Sequence, residues 1–309
     1  ADPANPVAVQ TIEGLLRPDA VRFNHDGSLI AITYHPAGAG TDTPMTLFRF
    51  DNGLVGEGVA ATIDGWAAGE RLIDVAWHPT ENTLALLDGS GGATVTFARV
   101  TDDLAIEPFG NVVDVERAPF RIFFTPDGRH VVINALYWGP DIAGRWIEAP
   151  VGSINTIRMN AETRADGSVR HAFVDRVPTG VSPEGLAVSP DGRWVATTNL
   201  ERSYLPYEDG RITWWSSITL ARLDEATGQM ALVGTFAYDG ILPEAAVFDN
   251  SGTYLAVATY DHFDDRIEGS SIDFWRIQRD PLNDENVQLV KTGITVPVTR
   301  GAHSMVIAR

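Results

Sequence analysis

The sequence predicts an all-β fold, a single β-propeller built from four-stranded blades and spanning residues 1–309. Three observations predict it. A pair of short apolar strands joined by a tight turn recurs along the chain. The recurrence has the spacing of a propeller blade. A third strand carrying an arginine follows each complete copy.

The first strand pair reads PDAVRFNHDGSLIAIT from Pro18, and it returns as LIDVAWHPTENTLALL from Leu72 and PFRIFFTPDGRHVVIN from Pro119. Two more complete copies follow, PEGLAVSPDGRWVATTN from Pro183 and PEAAVFDNSGTYLAVAT from Pro243. A sixth begins at Ala302 (AHSMVIAR) and stops with the sequence. The equivalent positions Phe23, Trp77, Phe124, Val188, Phe248 and Ile307 are 54, 47, 64, 60 and 59 residues apart. That step is too long for a hairpin repeat and suits a four-stranded blade. Asp-Gly or a similar pair between two apolar runs is a strong hairpin signal, so each copy supplies strands a and b.

Strand c follows as LFRF, FARV, TIRM, LARL and FWRI, with Arg49, Arg99, Arg158, Arg222 and Arg276 in one register. Strand alternation places each arginine on the opposite face from its apolar neighbours, as a solvated or inter-blade group. Strand d is read in GVAATI, NVVDVE, HAFVDRV, ALVGTFA and VQLVKTG. The N-terminal PVAVQTIEG also matches strand d. It is expected to share a blade with the last strand a, Val7–Ile12 lying in the same sheet as Met305–Ala308, because closing a ring removes exposed sheet edges. The expected architecture is therefore five complete repeats and a shared partial blade, in a ring of six or seven.

The segments PEGLAVSPDGRWVATTN and PFRIFFTPDGRHVVINA resemble the YVTN and lactonase-like β-propeller superfamily, whose repeats take the form P-H/E-G-apolar-SPDG-R-apolar-apolar-N. The resemblance runs from about Pro18 to the C-terminus. It implies a propeller, usually of seven blades. It also implies a choice among lactone hydrolases, surface-layer modules and adhesion modules. A fold with so many uses does not select one of them.

Composition narrows the choice. The net charge is −18, from 41 acidic and 23 basic residues, and such a surface repels phosphate backbones, so nucleic acid is not an expected partner. No apolar run is long enough for a transmembrane helix. With no cysteine in the chain, disulfides and zinc–thiolate sites are excluded. ADPANP resembles a mature N-terminus left by a signal peptidase, the basis for expecting a secreted or periplasmic bacterial protein. No G-x-S-x-G elbow, P-loop or HExxH is present, and His78 and His130 are expected to be structural.

Strand direction gathers the d–a and b–c loops at one mouth of the channel. One residue after the repeat's proline position, the sequence places Asp19, Ile73, Phe120, Glu184, Glu244 and His303. Asp19, Glu184, Glu244 and His303 are the candidate metal ligands, for a hard divalent cation such as Ca²⁺ or for a mixed nitrogen–oxygen site. Crowded carboxylates without a cation would share a proton or recruit an arginine such as Arg121 or Arg202. The long b–c loops of the third to fifth repeats are rich in aromatic residues. The strand ends beside them add polar groups. Tyr137, Trp138, Trp146, Glu201, Tyr204 and His262 are the candidate ligand-binding residues. Two functions fit. The first is an exported propeller that binds a small molecule, glycan or partner protein at the mouth. The second is a metal-assisted, lactonase-like hydrolase of lactones or esters.

Overall fold

The computed structural model of the chain describes residues 7–15, 17–35, 43–63, 71–89, 92–137, 151–264, 266 and 269–307. Within them every regular element is a strand. The first blade consists of β1 (Pro18–Phe23), β2 (Leu29–Tyr34), β3 (Met45–Asp51) and β4 (Leu54–Ala60). The second has β5 (Leu72–Trp77), β6 (Thr83–Asp88), β7 (Thr94–Val100) and an outer strand split into β8 (Ile106–Pro108) and β9 (Val113–Asp114). The third comprises β10 (Pro119–Phe124), β11 (His130–Ala135), β12 (Val151–Thr163) and β13 (Val169–Val181). The fourth is β14 (Pro183–Val188), β15 (Trp194–Asn199), β16 (Ser216–Leu223) and β17 (Met230–Tyr238). The fifth is β18 (Ile241–Phe248), β19 (Tyr254–Asp261), β20 (Ser270–Asp280) and β21 (Asn283–Val298). Each sheet is an antiparallel meander in sequence order, with both β8 and β9 pairing β7 in the second.

One register runs through all five blades. The first residue of strand b faces the arginine of strand c: Leu29 opposite Arg49, Thr83 opposite Arg99, His130 opposite Arg158, Trp194 opposite Arg222 and Tyr254 opposite Arg276. Arg49 and Arg158 reach backbone carbonyls of the next blade, while Arg99 and Arg222 meet aromatic rings of their own blade. Arg49 donates to the Asp102 carbonyl and Arg158 to that of Ala226, while Arg99 lies 4.0 Å over the Phe109 ring.

The core lies between blades. Leu186, Val195, Ala221 and Leu223 of the fourth blade close on Val132, Ile154 and Val177 of the third. Trp194, Ile218, Leu220 and Tyr238 in turn meet Phe248, Leu255, Val257 and Trp275 of the fifth. Three histidines are wedged into such interfaces. The expected structural residues His78 and His130 are both buried, each against a left-handed glycine of the next blade, Gly128 and Gly228. His171 sits likewise against Gly110, with Nε2 2.7 Å from the Phe109 carbonyl.

The five complete repeats are thus five sheets, and among the described residues no sheet joins the two ends. Neither residues 7–15 nor residues 302–307 form a strand, and Ala308 lies outside the described residues. The expected pairing of Val7–Ile12 with Met305–Ala308 is therefore not found. Among the described residues no strands b and c lie between them, so a backbone ladder has nothing to propagate through. Side chains attach the N-terminal segment instead. Ile12 and Leu15 pack on Ile30, Ile32, Tyr34 and Phe48, and the Gln10 amide bonds both the N–H and the C=O of Val55 on β4. This leaves one flank of β1 open. Val21 is 50% exposed, whereas its repeat equivalents Val75, Ile122, Leu186 and Ala246 are all buried.

Candidate functional site

Every strand a carries a β-bulge at its start. The register slips between Pro18 and Val21, Leu72 and Asp74, Pro119 and Arg121, Pro183 and Gly185, and Pro243 and Ala245. In the fourth and fifth blades the extra residues are Glu184 and Glu244. A bulge leaves one residue unpaired and re-aims its side chain. The backbone just before is held in the left-handed region at Arg17, Ala118, Ser182 and Leu242, each followed by proline in sequence. That conformation is unfavourable for a non-glycine residue and doubly so before proline.

Neighbouring blades hold these bulges in place. Asn134 uses its Oδ1 to accept the Arg121 N–H (2.7 Å), while its Nδ2 donates to the carbonyls of Pro183 and Glu184 in the next blade. Thr198 repeats the device: its Oγ1 accepts the Gly185 N–H (3.0 Å) and donates to the Pro243 carbonyl (2.7 Å). Asn134 and Thr198, near the ends of their b strands, therefore fix the bulges that carry the two glutamates.

The result is a cluster of Glu184, Glu244 and His303 with one donor atom from each within 4.8 Å of the others. Both glutamates are buried, and His303 Nε2 lies 3.5 Å from Glu244 Oε2. Burial drives the Glu184 carboxyl far above the usual carboxylate range, reinforced by its hydrogen bond and charge contact with Glu244 and opposed by His303 and Arg121. His303 reaches the pair because the segment before it is anchored. The N–H groups of Gly301 and Ala302 donate to Ser270 Oγ, and Arg300 pairs with Asp261 at 2.7 Å. The signal that would have found these anchors, a serine at the first position of β20, is too common to stand out in sequence.

Asp19, the fourth expected ligand, occupies the equivalent place in the first blade but is ion-paired with Arg71 at 2.8 Å and stands outside the cluster. The expected ligand-binding residues are scattered among internal contacts. Tyr137 bonds the Glu116 carboxylate through its hydroxyl and has Arg176 over its ring. Glu201 accepts from Ser217 Oγ (2.6 Å) and the Val181 N–H (3.3 Å), tying its loop to the third blade. His262 Nε2 is 2.9 Å from Ser271 Oγ. Burial raises the Tyr204 hydroxyl to about 12. Trp138 and Trp146 lie outside the described residues.

The loop between β15 and β16 is stapled to the fifth blade by Ser203 Oγ, which accepts the Leu242 N–H beside the Pro243–Glu244 bulge. It presents an aromatic ledge. Tyr207 stacks on Trp214 (5.4 Å), and Trp214 meets Phe263 of the next loop (5.2 Å), with Tyr207 and Trp214 about half exposed. Phe263 is a member that sequence reasoning missed, being a lone phenylalanine in an acidic loop.

No family model matches this chain, and no curated protein is similar to it in sequence. Solved structures are similar in fold. A putative 6-phosphogluconolactonase from Bacteroides uniformis superposes with a TM-score of 0.61 at 15% identity, over 91% of this chain and 71% of that one. The periplasmic gluconolactonase PpgL of Pseudomonas aeruginosa gives 0.59 at 16% identity, over 90% and 70%. The β-propeller domain of Cps50 (Swd1) from Myceliophteria thermophila gives 0.57 at 12%, over 94% and 74%. The fold is thereby that of a β-propeller. At such identities the likeness concerns the fold alone.

Proposed function

We propose that the Glu184–Glu244–His303 cluster is the reactive centre of a lactonase-type hydrolase that works with a bound divalent cation. The observation carrying this reading is the convergence of three metal-competent donors from two separate bulges and a terminal segment. The 3.5 Å between His303 Nε2 and Glu244 Oε2 suits two ligands of one ion, each roughly 2.0–2.2 Å from it. A set containing imidazole favours Zn²⁺ or Mn²⁺ over the all-oxygen preference of Ca²⁺. Such an ion would supply polarisation of a substrate carbonyl.

The chain's own groups supply the rest. Burial favours the protonated form of Glu184 in the ion-free site, so with Glu244 and His303 holding the ion the Glu184 carboxyl beside them would be the group that moves a proton. Water adds to the carbonyl carbon, the ring C–O bond breaks, and the proton shed by water reaches the departing alkoxide through this carboxyl. The product is a hydroxy acid. The ledge of Tyr207, Trp214 and Phe263 gives the substrate an apolar face to lie on.

The ledge also favours a second reading, a binding propeller with no chemistry, since exposed stacked rings suffice to grip a ligand. A screen of lactones and aryl esters, with metal content measured on protein purified without chelator, separates the two. The hydrolase reading predicts turnover that falls by about 100-fold or more in E184Q/E244Q. Ligand binding without turnover, lost in Y207A/W214A and intact in E184Q/E244Q, would establish the binding reading in its place.

A further inference from the structure

The outer edge of the second blade is interrupted between β8 and β9. Pro108 lacks the N–H a ladder needs, and Gly110 is left-handed (φ 79°). Side chains hold the break rigidly to the third blade. Asn111 Oδ1 accepts the His171 N–H (2.7 Å), and its Nδ2 donates to the His171 carbonyl (3.3 Å). A Cβ on Gly110 would fall 2.1 Å from His171 Nε2, so only glycine permits this approach. Between the break and the turn joining β12 to β13 lies a groove of about 750 Å³.

The charge of that groove runs against the rest of the molecule. The chain carries −18, yet Arg99, Arg164 and Arg170 line the groove and no carboxylate does. Arginines elsewhere in the molecule are neutralised, as Arg129, Arg211 and Arg266 are by Asp127, Asp209 and Asp264. None of the three groove arginines closes to a salt bridge among the described residues, although Asp166 in the same turn lies near enough to Arg164 to feel its charge. Glu107 and Glu162 are the register partners of Arg99 and Arg170, but neither closes to a salt bridge or faces into the groove lining. The Arg99 guanidinium carbon lies 4.0 Å over the Phe109 ring, a contact that does not itself consume the N–H donors.

We propose that this groove binds an oxyanion, the phosphate or sulfate group of a small ligand, between Arg99, Arg164 and Arg170. Guanidinium forks match such groups bidentately, and an anion relieves the mutual repulsion of three like charges. The site is independent of the glutamate cluster, since it draws on the second and third blades only. An arginine-guarded sheet edge with no ligand is the alternative the test must exclude.

Inorganic pyrophosphate and inorganic sulfate, each titrated calorimetrically, are the probes. The wild-type chain should bind at least one with a Kd below about 1 mM, weakening as salt is raised. R99Q/R164Q/R170Q should lose at least tenfold in affinity, and E184Q/E244Q none. R164Q alone, an exposed turn position, should weaken binding measurably if the triple variant proves unstable. Which probe binds tells phosphate from sulfate. Absence of binding by either probe, or affinity unchanged in the arginine variants, would overturn the proposal.

Discussion

Glu184 shows how much one residue's surroundings decide. In sequence it is one of six rim positions, no different in kind from Asp19. In the fold Asp19 meets Arg71, while Glu184 meets another carboxylate in a buried place. Its proton affinity is raised, so the sign of its effect on stability is fixed. The native state holds a proton that the unfolded chain releases above the ordinary value of 4.5. Stability therefore declines as pH rises from that value through the raised native one. In chelator, denaturant titrations between pH 5 and pH 8 should show this decline in the wild type and a flatter profile in E184Q. Parallel profiles for the two proteins would mean that Glu184 is charged and compensated in the native state.

At the scale of the strand and the blade, most of the fold was legible. Asp-Gly turns between apolar runs marked strands a and b, and the arginine column marked strand c in its true register. Outer strands were harder. The predicted NVVDVE is reduced to Val113–Asp114, because Pro108 and Gly110 break the edge upstream, a consequence of local backbone chemistry that periodicity does not reveal. The cluster was legible as a column of repeat positions, but not its membership. Whether a rim acid finds an arginine or another acid depends on contacts 50 or more residues apart in sequence, as with Asp19 and Arg71. Blade packing itself gives a test. Trp77 and Phe23 share one repeat position, the first buried between blades and the second 52% exposed. Trp77→Ala should cost about 3–5 kcal/mol in equilibrium unfolding and Phe23→Ala under about 1 kcal/mol. Similar losses would show that the flank of β1 is covered in solution.

Across the whole molecule, the repeat turns distance in sequence into proximity. Each strand a begins with a bulge, the bulges of the fourth and fifth blades are pinned by the blade before them, and these two carry glutamate. A terminal segment that forms no strand then delivers His303 to them, held by Ser270 and Asp261 of the fifth blade. The site therefore exists only in the assembled array. The most direct measurement of this claim is calorimetric titration of Zn²⁺ and of Mn²⁺ into chelator-stripped protein, wild type beside E184Q/E244Q and H303A. One ion should bind per chain, with affinity reduced well over tenfold, about 1.4 kcal/mol or more, in both variants. Absence of binding to the wild type, or equal affinity in folded variants, would contradict the account.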